Sequence, residues 1–358
     1  MRIIIGSGGT GGHLYPALAL IEYIESQEDT QVLFVGTKDR LESQVVPKLG
    51  YQYRGLDVKG LVGSPLNKLK NIMLFVRSIK EAKKIIREFA PDIVVGFGGY
   101  PSASIVMAAS QLKIPTMIHE QNSIIGLTNK ILVNKVDKII ACYQGAYEKF
   151  PKGKTYLYGN PRASLVGTQA TVDVHEKYGL KKDLPIVTMV MGSLGSKTIN
   201  DKMVAALQKA DFKDYSLVYV TGKNYYDEVC SKLEGCVENI KIVPYIDDMA
   251  SLMQSSTLMV TRGGASTLAE LTALGKPAII IPSPYVVKNH QEFNALELSS
   301  NNAAKMILEA DLDGTKLLER IEGLIQSPLQ LEAMHQASLK LSQSDASKNI
   351  YELIKTMI

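Results

Sequence analysis

Cysteine is scarce in this sequence, and the few present form no framework. Cys142, Cys230 and Cys236 include no CxxC pair, and an odd number leaves no complete set of disulfides. A disulfide-stapled scaffold is thereby excluded, and a reducing, cytosolic compartment is expected. Long apolar runs are also missing, since none approaches the roughly 18 residues of a membrane-spanning helix. The opening Met1-Arg2-Ile3-Ile4-Ile5 runs straight into glycines. It lacks the longer apolar stretch and small-residue cleavage site of a signal peptide, so none is expected. No low-complexity tract interrupts the chain.

What is present is the composition of a soluble globular protein, 46% hydrophobic and 21% charged. At 358 residues the chain exceeds what one hydrophobic core usually supports, so two domains are expected. The net charge of +4 conceals an asymmetry: residues 1–160 hold 20 Lys/Arg against 13 Asp/Glu, and the remainder holds 20 against 23. The first half is therefore the expected partner of an anionic surface.

Short β-branched runs ending in glycine or polar loops alternate with helix-period segments, the pattern of βα units around a parallel sheet. The first half offers Ile3–Ile5, Val32–Val35, Ile93–Phe97, Thr116–His119 and Lys138–Cys142. The pattern then restarts with Ile186–Met191, Leu217–Val220, Ile240–Val243, Thr257–Val260 and Ala278–Ile281. An α/β protein of two Rossmann-like lobes follows, joined near Gly159-Asn160-Pro161-Arg162, where strand-like Tyr156–Tyr158 meets glycine and proline. The tail from about Leu341 reads as a helix whose lobe the pattern leaves open.

Glycine loops follow several of these strands. In Gly6-Ser7-Gly8-Gly9-Thr10-Gly11-Gly12-His13, a strand gives way to glycines and then to an apolar-periodic helix, so backbone amides would face an anion at the helix start. Gly6, Gly8 and Gly11 match the GxGxxG of dinucleotide-binding enzymes, but the second strand ends Val35-Gly36-Thr37 without the expected acid. A turn that merely packs helix on sheet is the plainer alternative. His13 stands at the mouth of this lobe, where an imidazole can take a proton from an attacking hydroxyl, or simply bond backbone at a helix start.

Related loops occur at Gly96–Ser102 and at Met191–Lys197. In Thr261-Arg262-Gly263-Gly264-Ala265-Ser266-Thr267-Leu268-Ala269-Glu270, glycines and small polar residues open a helix whose amides can bind a diphosphate, with Arg262 to counter its charge. Glu270, one turn inside, can accept hydrogen bonds from two ribose hydroxyls or serve as a cap.

Several segments occur in order and carry a family resemblance: GGTGGH at 8–13, GFGGY at 96–100, His119-Glu120-Gln121-Asn122 with Gly126–Lys130, Gly159–Arg162, Tyr245–Met249, RGGAST at 262–267 and His290–Ala295. Together they resemble the MurG family, the N-acetylglucosaminyltransferases that complete lipid II in peptidoglycan synthesis, over residues 1 to about 300. The resemblance implies the GT-B fold, two Rossmann-like lobes facing across a cleft. Residues 1–161, with a last helix in 341–358 packing back on them, would bind acceptor and membrane, and 162–340 would bind UDP-N-acetylglucosamine.

By the same resemblance, the Ile246 backbone reads the uracil edge and Arg162 lies near the nucleotide. Ser193 and the amides of Ala265, Ser266 and Thr267 hold the diphosphate, and Glu270 holds the ribose. Gln291 and Asn294 read the sugar hydroxyls, while Thr10, Gly11, Gly12 and Asn122 add donor contacts. Gly98, Gly99 and Tyr100 are implied on the acceptor side. The implied reaction transfers N-acetylglucosamine to the 4-hydroxyl of the muramyl sugar of lipid I, the undecaprenyl-diphosphate-linked MurNAc-pentapeptide, with inversion at the anomeric carbon. His13 is the preferred general base and Glu120 the reserve. Rival readings are a UDP-N-acetylglucosamine 2-epimerase of the same fold, a dehydrogenase and a non-catalytic sugar-nucleotide-binding protein.

No metal or other cofactor is expected. The lone DxD, Asp311-Leu312-Asp313, precedes a helical stretch, where an aspartate is commonly an N-cap. No nucleic-acid partner is expected either. Between Lys59 and Arg87 lie eight Lys/Arg and one acid, Glu81, with Leu66, Leu69, Ile72, Met73, Phe75, Val76 and Ile79 at largely helical spacing. Such a helix either faces the core with a solvated basic face or rests on an anionic leaflet. The lipid-linked acceptor favours the second, a peripheral place on the cytoplasmic face of the bacterial cell membrane.

Overall fold

The strand periodicity resolves into two parallel sheets. The structure, a computed structural model, describes residues 1–60, 65–169, 171–210, 214–234 and 239–358, and side chains other than those of 65–69. Cys236 and the side chains of Leu66 and Leu69, named above, lie outside the described residues. The chain divides into two compact units, Met1–Ser164 with Gln343–Ile358, and Leu165–Ser342. Arg162 therefore falls in the first unit.

In the first unit the strands are β1 (Arg2–Ser7), β2 (Gln31–Thr37), β3 (Gln52–Leu56), β4 (Ile93–Gly98), β5 (Thr116–Glu120), β6 (Lys138–Ala141) and β7 (Thr155–Leu157). They lie in the order β3-β2-β1-β4-β5-β6-β7, every pairing parallel. Ile3, Ile4 and Ile5 show no exposure at all. Ile3 and Ile5 pack with Leu14, Leu20 and Ile24 on one face, whereas Ile4 packs with Ile86, Ile105 and Val106 on the other. A strand covered on both faces must be apolar at every position, which is why its sequence runs instead of alternating.

The second unit repeats the plan with β8 (Ile186–Val190), β9 (Ser216–Val220), β10 (Ile240–Val243), β11 (Leu258–Thr261), β12 (Ala278–Ile280) and β13 (Ala304–Met306), ordered β10-β9-β8-β11-β12-β13. β3 and β13 are absent from the strand pattern read above. Both are edge strands: β3 buries only Leu56, and β13 has three residues. An edge strand is recruited by the free hydrogen-bonding row of its neighbour and needs no apolar run of its own.

In each sheet the chain reverses direction of travel between its first and fourth strands, β1 and β4 in one and β8 and β11 in the other. Open parallel sheets bind ligands at the carboxyl ends of strands beside such a reversal. The glycine loops lie at these positions.

The tail helix Ala346–Lys355 packs on the helix Gly11–Gln27. Ile350, Leu353 and Ile354 are buried against it, Tyr351 meets Tyr23 edge-on with ring centroids 6.0 Å apart, and Lys355 Nζ lies 2.9 Å from Glu28 Oε1. The basic helix Pro65–Phe89 distributes its apolar residues over two faces. Ala82, Ile85, Ile86 and Phe89 are buried and Phe75 and Ile79 pack against the core, but Ile72, Met73 and Val76 are 47%, 68% and 51% exposed. A core-facing role accounts for only part of that helix.

Candidate active site

In the first unit the loops after β1 and β4 lock together. Gly8 N donates to Gly98 O at 3.1 Å. His13 is the third residue of the helix that follows, and its Nδ1 lies 2.8 Å from Gly8 O. A carbonyl oxygen only accepts, so Nδ1 carries the proton of the neutral ring and Nε2 the lone pair. The ring rests over Gly98, where an added Cβ would come within 2.7–2.8 Å of its Cδ2 and Nε2. Gly98 has φ +112 and Gly99 φ +82, values that side-chain-bearing residues rarely adopt, and a Cβ on Gly99 would overlap Gly8 O. These two glycines are thus required by the interlock. Tyr100 opens the next helix, Tyr100–Gln111. Thr10 is the N-cap position of the His13 helix, with Oγ1 3.4 Å from His13 Nδ1, and Gly11 and Gly12 form its first turn.

Glu120 closes β5, only 2% exposed. Its carboxylate accepts from Asn122 N at 3.1 Å, Gly126 N at 2.8 Å and Asn129 Nδ2 at 2.9 Å. Burial pushes its pKa up, against the pull of these donors. The arrangement makes Glu120 the organiser of the 122–129 loop, with its lone pairs directed to backbone and amide groups. This departs from the reserve role as a base, because a proton acceptor needs a lone pair aimed at substrate.

His119, beside it, is 1% exposed and stacks on Phe97 with centroids 4.9 Å apart. Its Nε2 lies 3.0 Å from Gly159 O, and burial holds its pKa down to about 4. An unfolded histidine titrates near 6.5, so between pH 6.5 and 4 the unfolded chain takes up a proton that the folded chain refuses. Stability should consequently fall as the pH drops through that window, by on the order of 3 kcal/mol from this group. In urea titrations at pH 7 and 4.5, His119→Gln should lose less stability on acidification than the unsubstituted chain. Equal losses would show that His119 does not set the acid limb.

In the second unit, Gly264 is the N-cap residue of the helix Ala265–Ala273, whose first turn is Ala265, Ser266 and Thr267. Ser266 Oγ is buried and has no hydrogen-bond partner among the described residues. Free amides at the start of a helix after the fourth strand of such a sheet form an anion site. Glu270 is buried one turn on, at 6% exposure. Ser193 is exposed in the loop between β8 and the helix Lys197–Leu207, and Ile246 is buried after β10. Met191 is buried as part of the core, so the turn starts at Gly192.

From the helix His290–Ser299, Asn294 Nδ2 donates to Gly263 O at 3.1 Å, and Gln291 Oε1 accepts from Ser283 N at 2.9 Å. The sugar-reading candidates thereby brace the glycine loop and the loop after β12. Asp313 accepts from Lys316 N at 3.0 Å as the N-cap of the helix Gly314–Ile325. Arg162 opens the short helix Arg162–Val166.

Arg262 requires a correction. Its Nη1 lies 2.6 Å from Glu309 Oε2, donates to Ile281 O at 3.1 Å, and the two side chains are only 11% and 5% exposed. Nη1 is thus engaged by protein groups, a buried ion pair and a carbonyl, which departs from the expected role of countering a diphosphate. Sequence spacing gave no sign of this, because Glu309 lies far along the chain beyond β13. Like Glu309, Glu42 was not singled out by pattern: it is 1% exposed and belongs to no motif, yet its carboxylate accepts from Gly9 N in the first glycine loop.

Comparison with known proteins agrees with this architecture. Residues 3–141 match the glycosyltransferase family 28 N-terminal domain and residues 186–350 its C-terminal domain. A Bacillus cytotoxicus relative named UDP-N-acetylglucosamine–N-acetylmuramyl-(pentapeptide) pyrophosphoryl-undecaprenol N-acetylglucosamine transferase is 41% identical over 362 residues, covering 100% of both chains. A relative from Lactiplantibacillus plantarum with the same name is also 41% identical over the full length of both. The crystal structure of Acinetobacter baumannii MurG matches with a TM-score of 0.82 at 23% identity over 99% of each chain. A UDP-GlcNAc 2-epimerase from Neisseria meningitidis, bound to UDP-GlcNAc, shares the fold at a TM-score of 0.71 and 15% identity, over 99% of this chain and 100% of that one.

Two parallel α/β units with glycine loops at the first and fourth strands, matched by both family 28 domains, define a glycosyltransferase of the GT-B fold. At 41% identity over the whole length, the chain belongs to the MurG family of UDP-N-acetylglucosamine-dependent glycosyltransferases.

Proposed function

We propose that His13 is the general base in the transfer of N-acetylglucosamine from UDP-N-acetylglucosamine to the 4-hydroxyl of the MurNAc of lipid I. The product is lipid II, the transfer that the family carries out. The observation that carries the base assignment is the 2.8 Å contact between His13 Nδ1 and Gly8 O. It leaves the lone pair on Nε2, the nitrogen that must accept a proton. As the acceptor oxygen forms its bond to the anomeric carbon, the bond to the β-phosphate breaks, UDP leaves with the electron pair, and the hydroxyl proton passes to Nε2. Attack from the face opposite UDP inverts the α centre to a β linkage.

The donor diphosphate is assigned to the amides of Ala265, Ser266 and Thr267, with Ser266 Oγ and Ser193. Preorganised dipoles there stabilise the charge that grows on UDP. Glu270 is assigned to the ribose, Ile246 to the uracil edge, and Gln291 and Asn294 to the sugar. Thr10, Gly11, Gly12, Asn122 and Arg162 belong to the same donor reading, and Gly98, Gly99 and Tyr100 to the acceptor. Arg262 supports the diphosphate loop by holding it to Glu309. UDP release should depend on a muramyl lipid acceptor. Conversion of the donor without acceptor would favour the epimerase reading, and no turnover at all would favour a binding protein.

The chain works at a membrane surface, on this reading, because its acceptor is lipid-linked. No helix among the described residues is long and apolar enough to cross a membrane. The exposed Ile72, Met73 and Val76 share their helix with exposed Lys70, Arg77, Lys80 and Lys84, an apolar and basic combination suited to an anionic leaflet. Reversing the charge of Lys80, Lys83 and Lys84 together should weaken binding to anionic liposomes by roughly a hundredfold or more, at about 1 kcal/mol per basic residue. Binding indifferent to both lipid charge and this change would remove the cytoplasmic-leaflet assignment.

A further inference from the structure

In the fold of this protein, the glycine loop after β1 is where a nucleotide-binding enzyme would place a phosphate. Two of the amides that would meet it are engaged by the protein itself. Gly8 N donates to Gly98 O, and Gly9 N donates to Glu42 Oε2 at 3.1 Å. The other carboxylate oxygen, Glu42 Oε1, accepts from Thr37 N at 2.9 Å and Thr37 Oγ1 at 2.7 Å. Glu42 is 1% exposed, and no Lys, Arg or His pairs with it among the described residues. Tyr53 hydroxyl donates to Thr37 O and closes the layer beneath.

A buried carboxylate without a cation is costly unless donors converge on it. Here three do, and one belongs to the loop whose next carbonyl back holds His13. Fixing Gly9 N fixes the Gly8–Gly9 peptide, and hence the Gly8 carbonyl that sets the imidazole's tautomer and orientation.

We infer that Glu42 is a positioning residue for the transfer reaction: an internal anion that takes the phosphate's place in the first glycine loop and holds that loop in the geometry His13 requires. The inference rests on the assignment of His13 as base. Its chemistry is acceptor-only at both oxygens, so an amide in its place must turn a donor toward Thr37 N or Gly9 N. The carboxylate also disfavours a second anion at Gly8 and Gly9, which leaves the donor diphosphate to the helix start at Ala265.

Steady-state UDP release with the full-length chain tests this through Glu42→Gln, His13→Ala and the double variant. Glu42→Gln should lower kcat by tenfold to a hundredfold with the KM for UDP-N-acetylglucosamine changed less than about twofold, and with its thermal midpoint recorded alongside. Because Glu42 acts through His13, adding Glu42→Gln to His13→Ala should cost little more than His13→Ala alone. If Glu42→Gln does not fold, Thr37→Val removes one hydroxyl donor from the same carboxylate. It should lower kcat severalfold, with the same loss of effect in the His13→Ala background.

The outcomes separate the two claims. Near-normal turnover in His13→Ala removes the base assignment and the inference with it. A slow His13→Ala together with Glu42→Gln at wild-type kcat, or with fully multiplicative losses, leaves the base assignment standing and overturns the positioning role. A lowered thermal midpoint with unchanged kcat would show Glu42 to be structural only.

Discussion

His13→Ala should lower kcat by about a hundredfold or more while the KM for the donor stays close to its normal value. General bases typically contribute about 10²–10⁴-fold, and the imidazole proposed for that role is held by a hydrogen bond at Nδ1, the nitrogen away from the one assigned to the reacting proton. The acid limb of the pH–rate profile should disappear with it, since that limb reports protonation of the free base. Steady-state kinetics across pH, with acceptor saturating, would read both effects. An Ala variant that keeps near-normal turnover and intact donor binding would take His13 out of the chemistry. The neighbouring Gly98 sharpens the expectation, because the ring lies directly over it and any side chain there would displace the imidazole.

Arg262→Ala should destabilise the second unit by about 3–5 kcal/mol, because it strands the Glu309 carboxylate in a buried position with its cation removed. Replacing both members by apolar residues of similar size, Arg262→Met with Glu309→Leu, should return stability to within about 1–2 kcal/mol of the starting protein. The charge pair would then be shown to matter through its mutual dependence. Urea unfolding of the single and double variants measures this, and donor affinity measured in parallel separates two roles. If Arg262→Ala left stability unchanged but weakened donor binding more than tenfold, the guanidinium would be serving the diphosphate, and the internal pairing would be incidental.

His13 and Arg262 differ in how much of their setting lies in neighbouring residues of the chain. His13 was legible because its signal is local: a strand, a run of glycines and a helix start put the imidazole at the carboxyl end of a sheet. Arg262 was legible as a residue of the glycine loop after β11, but the partner of its side chain was not. That partner is Glu309, which the chain brings back only after two further strands. Glu120 is similar. Its place at the end of β5 follows from the pattern, whereas its engagement by Asn122, Gly126 and Asn129 required the loop to be folded. Edge strands β3 and β13 escaped the pattern because pairing, and not their own hydrophobicity, makes them strands.

The sequence by itself determined the α/β class, the repetition of one Rossmann-like plan, the glycine loops and the family, because each is written in residues close together along the chain. Periodicity and turn chemistry act within a few residues, and family motifs keep their order. The family resemblance already set the tail helix on the first unit, but only the tertiary structure decided that it covers the His13 helix in particular, that Glu42 holds the amide of Gly9, and that Arg262 pairs with Glu309. Each of these joins groups far apart in the chain, and a buried charge takes its partner from whatever the fold brings within hydrogen-bonding distance.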